Sequence, residues 1–365
     1  MNDALWQYYI GTVFLKLKKR QWESLTVYFG TVQRIDWHQI LKDPSAFGIE
    51  TSGNALLNKA LEGYKAFESQ LFKLGSGYTY RDHFDFPAPL AAIEDSPEIL
   101  FYLGNVKALN KKKLVSIVGT RQPSAYGLRV AYDLAAFLSK HDIGIVSGMA
   151  TGIDTAAHRG ALSANGYTAA VVATGVQNVY PKSNRTLYQT ILEKDGAILS
   201  EKPLLENARR YDFPYRNRLI SGLSQVTVVI EGAYKSGSLI TAKYAAEQGR
   251  TVFALPGNIY AEASKGTNQL IFDGAMPLVD FSDVLTALSL QSMTPDSMCR
   301  QAEIAQLSEV ERNVLQYLKK YNIIEIEALR TLVGIDTQLM NAAVARLIME
   351  DFCTYASLTA LQCLL

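Results

Sequence analysis

Apolar positions change their spacing twice along the chain. Over residues 1–85 they recur at helical intervals, at Leu5, Tyr8, Tyr9, Val13 and Leu15 and again at Leu56, Leu57, Leu61, Tyr64, Phe67 and Leu71, with few β-branched runs. That spacing predicts a small helical domain. The stretch FDFPAPLAAIEDSPEIL then brings Pro87, Pro89 and Pro97 close together, which breaks helices and marks a boundary. Beyond it, short apolar runs alternate with helix-length segments: ILFYL (99–103), LVSIV (114–118), IGIVS (143–147), TAAVVAT (168–174), AILS (197–200), VTVVI (226–230) and TVFAL (from 251). Short strands that are apolar on both faces, with helices between them, describe a parallel sheet covered on both sides. The reading is an α/β, Rossmann-like domain over 86–288.

The rhythm is lost in LSLQSMTPDSMCRQAEIAQ, where Ser, Thr, Pro and Gln mix without periodicity, and residues 289–306 read as a linker. Ser308 and Glu311 then have capping-box spacing ahead of an amphipathic helix. Two further helices follow with a turn at Gly334, and CTYASLTALQCLL can close as a short hairpin. This is the outline of a winged-helix domain over 307–365. Residues 300–365 carry six basic and eight acidic side chains, and the stretch Asp336 to Met349 offers only Arg346. A recognition helix needs positive charge toward phosphates, so a structural or partner-binding role is expected ahead of duplex reading.

Composition narrows the function. With 36 basic and 35 acidic side chains in 365 residues, no global positive field points to nucleic acid, and any polyanion site must be a local concentration. Cys299, Cys353 and Cys363 give neither a disulfide framework nor a metal pair, and His38, His83 and His141 have no ligand spacing. No metal and no cofactor is expected. The first basic cluster follows the first apolar stretch, the reverse of a secretory signal, and no apolar run approaches membrane-spanning length. A soluble, cytoplasmic protein without membrane attachment is the expectation.

In a parallel sheet, ligands bind beyond the carboxyl ends of the strands. After LVSIV come Gly119, Thr120 and Arg121, with arginine where a dinucleotide fingerprint requires its second glycine. A planar guanidinium suits bidentate phosphate binding, and free amides at the next helix start would support it; an ordinary turn with a solvated arginine is the alternative. The next tip carries Ser147 and Gly148, followed by Asp154 and His158 four residues apart. These two read as a buried, satisfied pair ahead of an acid/base couple. The long strand ends in a loop with Lys182, Asn184 and Arg185 after Tyr180-Pro181. Further on, YDFPYRNR places Phe213, Arg216, Asn217 and Arg218 among Tyr211 and Tyr215, a mixture suited to single strands whose phosphates pair with guanidinium forks and whose bases lie on rings. Ser236, Gly237 and Ser238 at a later helix start are an anion-ready position, or plain N-capping. Together the tips set Arg121, Lys182, Arg216 and Arg218 on one sheet edge that lacks a nucleophile-base pair, so the implied chemistry is binding a phosphate chain and not catalysis.

The ordered segments IVGTR, SGMATGIDTAAHRGAL, ATGVQNVYPKSNRTLY, FPYRNRLISGLS, SGSLITAKYAAEQGR, VFALPGN and GTNQLIFDGA resemble the DNA-processing protein A family (DprA, also called Smf). The resemblance is strong over 86–288 and weaker over a helical, SAM-like N-terminal domain and a C-terminal winged helix. It implies an extended Rossmann fold that binds single-stranded DNA, forms a homodimer and loads the RecA recombinase onto DNA during natural transformation. By motif it carries the family's DNA-binding role to Arg121, Lys182, Phe213, Arg216, Asn217 and Arg218, and it makes Val252 to Ala275 the candidate dimer and RecA surface. Met149-Ala150 departs from the smaller residues often found after Ser-Gly. The competing class is a nucleotide-hydrolysing phosphoribohydrolase, in which Glu201 or Glu231 would be the acid and Ser236 to Ser238 would hold a monophosphate; EGAYKSGSLIT lacks the denser glycine pattern of that group.

Overall fold

In a computed structural model of the chain, residues 4–17, 19–30, 34–49, 56–81, 83–291, 307–321, 323–350, 352–357 and 359–363 are described. They fall into two compact units, Met1–Ser289 and Leu290–Leu365. The larger unit begins with helices α1 (Ala4–Tyr8), α2 (Lys19–Phe29), α3 (Trp37–Lys42) and α4 (Leu56–Lys73). Asp36 starts α3 by accepting from the amides of His38 and Gln39, satisfying donors that a helix start leaves open.

The sheet has nine strands among the described residues: β1 (Gly77–Tyr80), β2 (Ile99–Gly104), β3 (Leu114–Val118), β4 (Gly144–Ser147), β5 (Thr168–Val171), β6 (Ala197–Ser200), β7 (Val226–Val229), β8 (Thr251–Ala254) and β9 (Met276–Pro277). Their order is β1-β2-β6-β5-β4-β3-β7-β8-β9, parallel from β6 through to β9. All seven expected runs are strands. ILFYL, expected in the parallel set, instead pairs antiparallel with β6 and, on its other side, with β1. The N-terminal segment thus adds an edge strand to the sheet, and 85/86 falls between two paired strands.

Helices α5 (Ala88–Ala91), α6 (Ala125–Lys140), α7 (Ile153–Ser163), α8 (Arg185–Glu193), α9 (Asp212–Leu223), α10 (Gly237–Glu247), α11 (Glu262–Phe272) and α12 (Phe281–Gln291) connect and cover the strands. Leu134 and Leu138 of α6 and Ala157 of α7 pack on Ile117, Ile145 and Val228, while Leu219, Ile220 and Leu223 of α9 pack near Val118, Val146 and Val229. Among the described residues the core of the N-terminal helices is continuous with the sheet: Leu5, Ile10, Tyr64, Phe67 and Leu71 share one apolar cluster with Phe101, Val172, Ile191 and Ile198. Each such side chain contributes roughly 1.5–3 kcal/mol by leaving water, which ties the helical layer to the sheet.

Residues 292–306, most of the expected linker, lie outside the described residues. In the C-terminal unit Ser308 and Glu311 bond reciprocally, the Ser308 amide donating to Glu311 Oε2 at 2.6 Å and the Glu311 amide to Ser308 Oγ at 3.3 Å. Helices Glu309–Tyr321, Ile326–Val333 and Thr337–Met349 pack around Val314, Leu318, Leu329, Met340 and Leu347, with Gly334 left-handed between the last two at φ 75°. Strands β10 (Ile323–Glu325), β11 (Cys353–Tyr355) and β12 (Ala360–Cys363) form an antiparallel sheet in the order β10-β12-β11. Among the described residues no single helix is long and apolar enough to cross a membrane.

Candidate nucleic-acid interface

The carboxyl ends of β3, β4 and β5 and the start of α9 enclose a cavity of about 80 Å³. Its walls include Arg121, Gly148, Thr151, Tyr180, Phe213 and Arg216. Arg121 is exposed, with its guanidinium 5.5 Å from the centre of the Phe213 ring, and Tyr180 packs on the same ring at 5.4 Å between centroids. Lys182, next in sequence to the wall residue Pro181, is also exposed. Neither cationic side chain has an ion-pair partner among the described residues.

Arg216 is different. It is 8% exposed, and its Nη1 donates to the carbonyls of Gly148, at 3.0 Å, and Val171, while Nε donates to Asn217 Oδ1. Burial, opposed by the pull of Asp154 and aided by the positive field of Arg121, lowers its pKa to about 10. Asp154, also buried, accepts from the amides of Gly148 and Ala150. Its pKa is raised by burial, with Arg216 and the two amides pulling the other way. Gly148 lies between the two charges: a Cβ there would meet Arg216 Nη2 and Asp154 Oδ2, each at 2.8 Å. A side chain at this position would be wedged between two buried charges, so glycine suits the loop that walls the cavity.

His158 is fully buried, with Nδ1 2.7 Å from Thr168 Oγ1. Since that hydroxyl already donates to the Ile145 carbonyl at 2.9 Å, the histidine Nδ1–H donates to it. Burial first, and then Arg216, depress its pKa to about 3, so the ring is neutral.

Arg218 is 2% exposed and does not reach the cavity. Its two terminal nitrogens donate to Glu201 Oε2 and Oε1, both at 2.6 Å. Burial works against its charge and the Glu201 bonds outweigh it, raising the pKa. The expected phosphate ligand is thus already bound to a carboxylate.

The remaining expected residues are frame more than wall. Gly119 packs against Ile153, and the Thr120 amide donates to the Glu231 carbonyl at 2.7 Å. Ser147 Oγ ties β4 to the Ile117 carbonyl of β3. Asn184 is buried, its Nδ2 donating to the Met149 carbonyl and to Thr155 Oγ1, which holds the loop where Met149 takes φ 62°. Asn217 Nδ2 donates to the Gly237 carbonyl and so links the starts of α9 and α10. Ser236 caps α10 by accepting from the Ser238 amide, and Ser236 to Ser238 lie outside the cavity wall.

The start of α6, where free amides were expected to support a phosphate, is filled by the protein itself. Glu231 Oε2 accepts from the Ser124 amide at 2.9 Å and Oε1 from its hydroxyl at 2.5 Å. A Cβ at Gly127 would strike that carboxylate at 2.5 Å. The helix dipole is answered by an internal anion. No linear motif flags this; β7 neighbours β3, so the residue after β7 arrives beside the α6 start only once the sheet is assembled. Among the described residues no cluster of His, Cys, Asp and Glu could hold a metal ion.

The sequence and the fold are similar to those of known proteins. The family model described as DNA recombination-mediator protein A matches residues 77–289. The chain belongs to that family. The DNA processing protein DprA of Bacillus subtilis is 41% identical over 203 residues, spanning 56% of this chain and 68% of the relative. The solved DNA processing protein A of Streptococcus pneumoniae superposes with a TM-score of 0.64 at 34% identity, covering 77% of this chain and 97% of that one. That of Helicobacter pylori, described for its single-stranded DNA binding mode, has a TM-score of 0.53 at 30% identity, covering 59% of this chain and 96% of that one. The family match begins at β1, so family membership, like the hydrogen bonding, attaches the antiparallel edge to the Rossmann-like sheet.

Proposed function

We propose that this protein binds single-stranded DNA at the strand-end cavity and loads RecA recombinase onto the bound strand in natural transformation and recombination. The observation that carries the reading is the pair of exposed cations, Arg121 and Lys182, without an ion-pair partner among the described residues, at a strand-end loop and a cavity walled by Phe213 and Tyr180. Phosphates meet the cations and unstacked bases meet the rings, which a duplex does not offer. The Helicobacter pylori relative's single-stranded DNA binding mode supports the same assignment.

The protein acts as a binder without catalysis. Both carboxylates that nucleotide hydrolysis would use are committed, Glu201 to Arg218 and Glu231 to Ser124. A homodimer and the recombinase contact use the late Rossmann segment, where Ile259, Tyr260 and Phe272 are largely exposed. The C-terminal unit is a winged helix, with β11 and β12 as the wing, serving partners ahead of DNA, and the protein works in the cytoplasm.

The test is binding of a labelled oligonucleotide as single strand and as duplex, with nucleoside monophosphates present as competitors and assayed for free base. Preference for the single strand, without release of base, is expected. Equal affinity for duplex, or liberation of base, would overturn the reading.

A further inference from the structure

Helix α9 is preceded by Tyr211 and carries Phe213 and Tyr215 in its first turn. Phe213 faces the small cavity. Tyr211 and Tyr215 instead line a cleft of about 1140 Å³ between the N-terminal helices and the carboxyl ends of β5 and β6. The two spaces share Val172, Ala173 and Arg216 in their walls, so a strand leaving the cavity across α9 enters the cleft.

The cleft offers little to a phosphate. Lys202 is paired with Asp212 and Glu206, Arg81 with Glu98 and Arg218 with Glu201. Its rim does offer a ring of defined orientation. The Arg218 guanidinium lies 4.0 Å from the centre of the Tyr215 ring, and Arg218 is itself held by both oxygens of Glu201. Arg218 is buried beneath it while Tyr215 remains 48% exposed, so the exposure belongs to the side turned away from Arg218. A ring backed by a fixed guanidinium loses little freedom on binding, and the cation draws on its π-system from below.

We propose that Tyr215 is a stacking platform for a nucleobase of the strand next to the phosphates held at Arg121 and Lys182, and that Arg218 is its positioning residue. The proposal rests on the strand-end reading above. It gives Arg218 a part in DNA binding through the ring and not through phosphate.

The full chain would be titrated with a single-stranded oligonucleotide containing 2-aminopurine, at several salt concentrations. Wild type would be compared with Tyr215→Phe, Tyr215→Leu, Arg218→Lys, Tyr215→Leu/Arg218→Lys and Arg121→Ala. Arg218→Lys keeps a positive charge on Glu201 and so preserves the fold. Loss of one aromatic platform is expected to weaken binding about tenfold in Tyr215→Leu. The salt slope should stay at the wild-type value, Tyr215→Phe should bind normally, and 2-aminopurine quenching should disappear only without the ring. Arg218→Lys should weaken the wild type and leave Tyr215→Leu no weaker. The proposal is overturned by wild-type affinity in Tyr215→Leu, by a salt slope that falls along with affinity in that variant, or by an Arg218→Lys loss of equal size in both backgrounds. Failure of the phosphate cavity itself would register separately, as an unchanged slope in Arg121→Ala.

Discussion

Arg121 and Lys182 on one side, and Arg216 and Arg218 on the other, stand at the ends of the same sheet and have opposite circumstances. The first two are exposed and have no ion-pair partner among the described residues. The second two are buried, Arg216 bonded to backbone carbonyls beside Asp154 and Arg218 gripped by Glu201. A charge removed from water must be matched by partners in the protein, so a buried arginine becomes part of the frame and an exposed one stays available. Four cations that look alike in sequence therefore separate into two that can meet a polyanion and two that hold the place where it is met.

The largest effect that would sharpen this contrast is at Arg218. Arg218→Met leaves Glu201 without its counter-ion, and removing one partner of such a pair costs about 3 kcal/mol of stability, read from denaturant unfolding. If the variant is as stable as wild type, Arg218 is not frame. Next is Gly148→Ala, whose methyl group would enter between Arg216 and Asp154 and cost about 2 kcal/mol by overpacking. A thermal melt that does not move would show that the loop has room the contact distances deny.

A smaller effect concerns pH. His158 has a folded pKa depressed to about 3, so below its unfolded pKa the unfolded chain takes up a proton that the native state refuses. Stability contributed by this group is present above the unfolded pKa and is lost as pH falls: about 1.4 kcal/mol between pH 7.5 and 5.5. His158→Gln should remove that part of the slope. A variant with the same pH dependence as wild type would place the titration elsewhere.

Much of the fold could be read from the sequence because a buried parallel strand needs apolar residues on both faces, and LVSIV or VTVVI advertises that directly. Direction is another matter. ILFYL has the same character and runs antiparallel, since an apolar run carries no information about its neighbours. GYTY of β1 and the two residues of β9 are too short or too mixed to stand out. At the site, the strand-tip rule located the cavity and both exposed cations. It missed that Arg216 turns inward, although Arg216 shares its helix face with Leu219, Ile220 and Leu223, a periodicity that signals burial. The partners of Arg218 and Ser124 lie 17 and 107 residues away, and only the assembled sheet brings those carboxylates to them.

The central claim is that the exposed cations, and not the buried ones, meet the strand. It is tested most directly by the salt dependence of single-stranded DNA affinity for wild type, Arg121→Ala, Lys182→Ala and the double variant, with thermal stability measured on the same samples. Each exposed cation that neutralises one phosphate contributes about 0.7 to the slope of log affinity against log salt, so the double variant should lose about 1.4 while its melting temperature stays put. A wild-type slope in the double variant would contradict the account and move the strand away from this sheet edge.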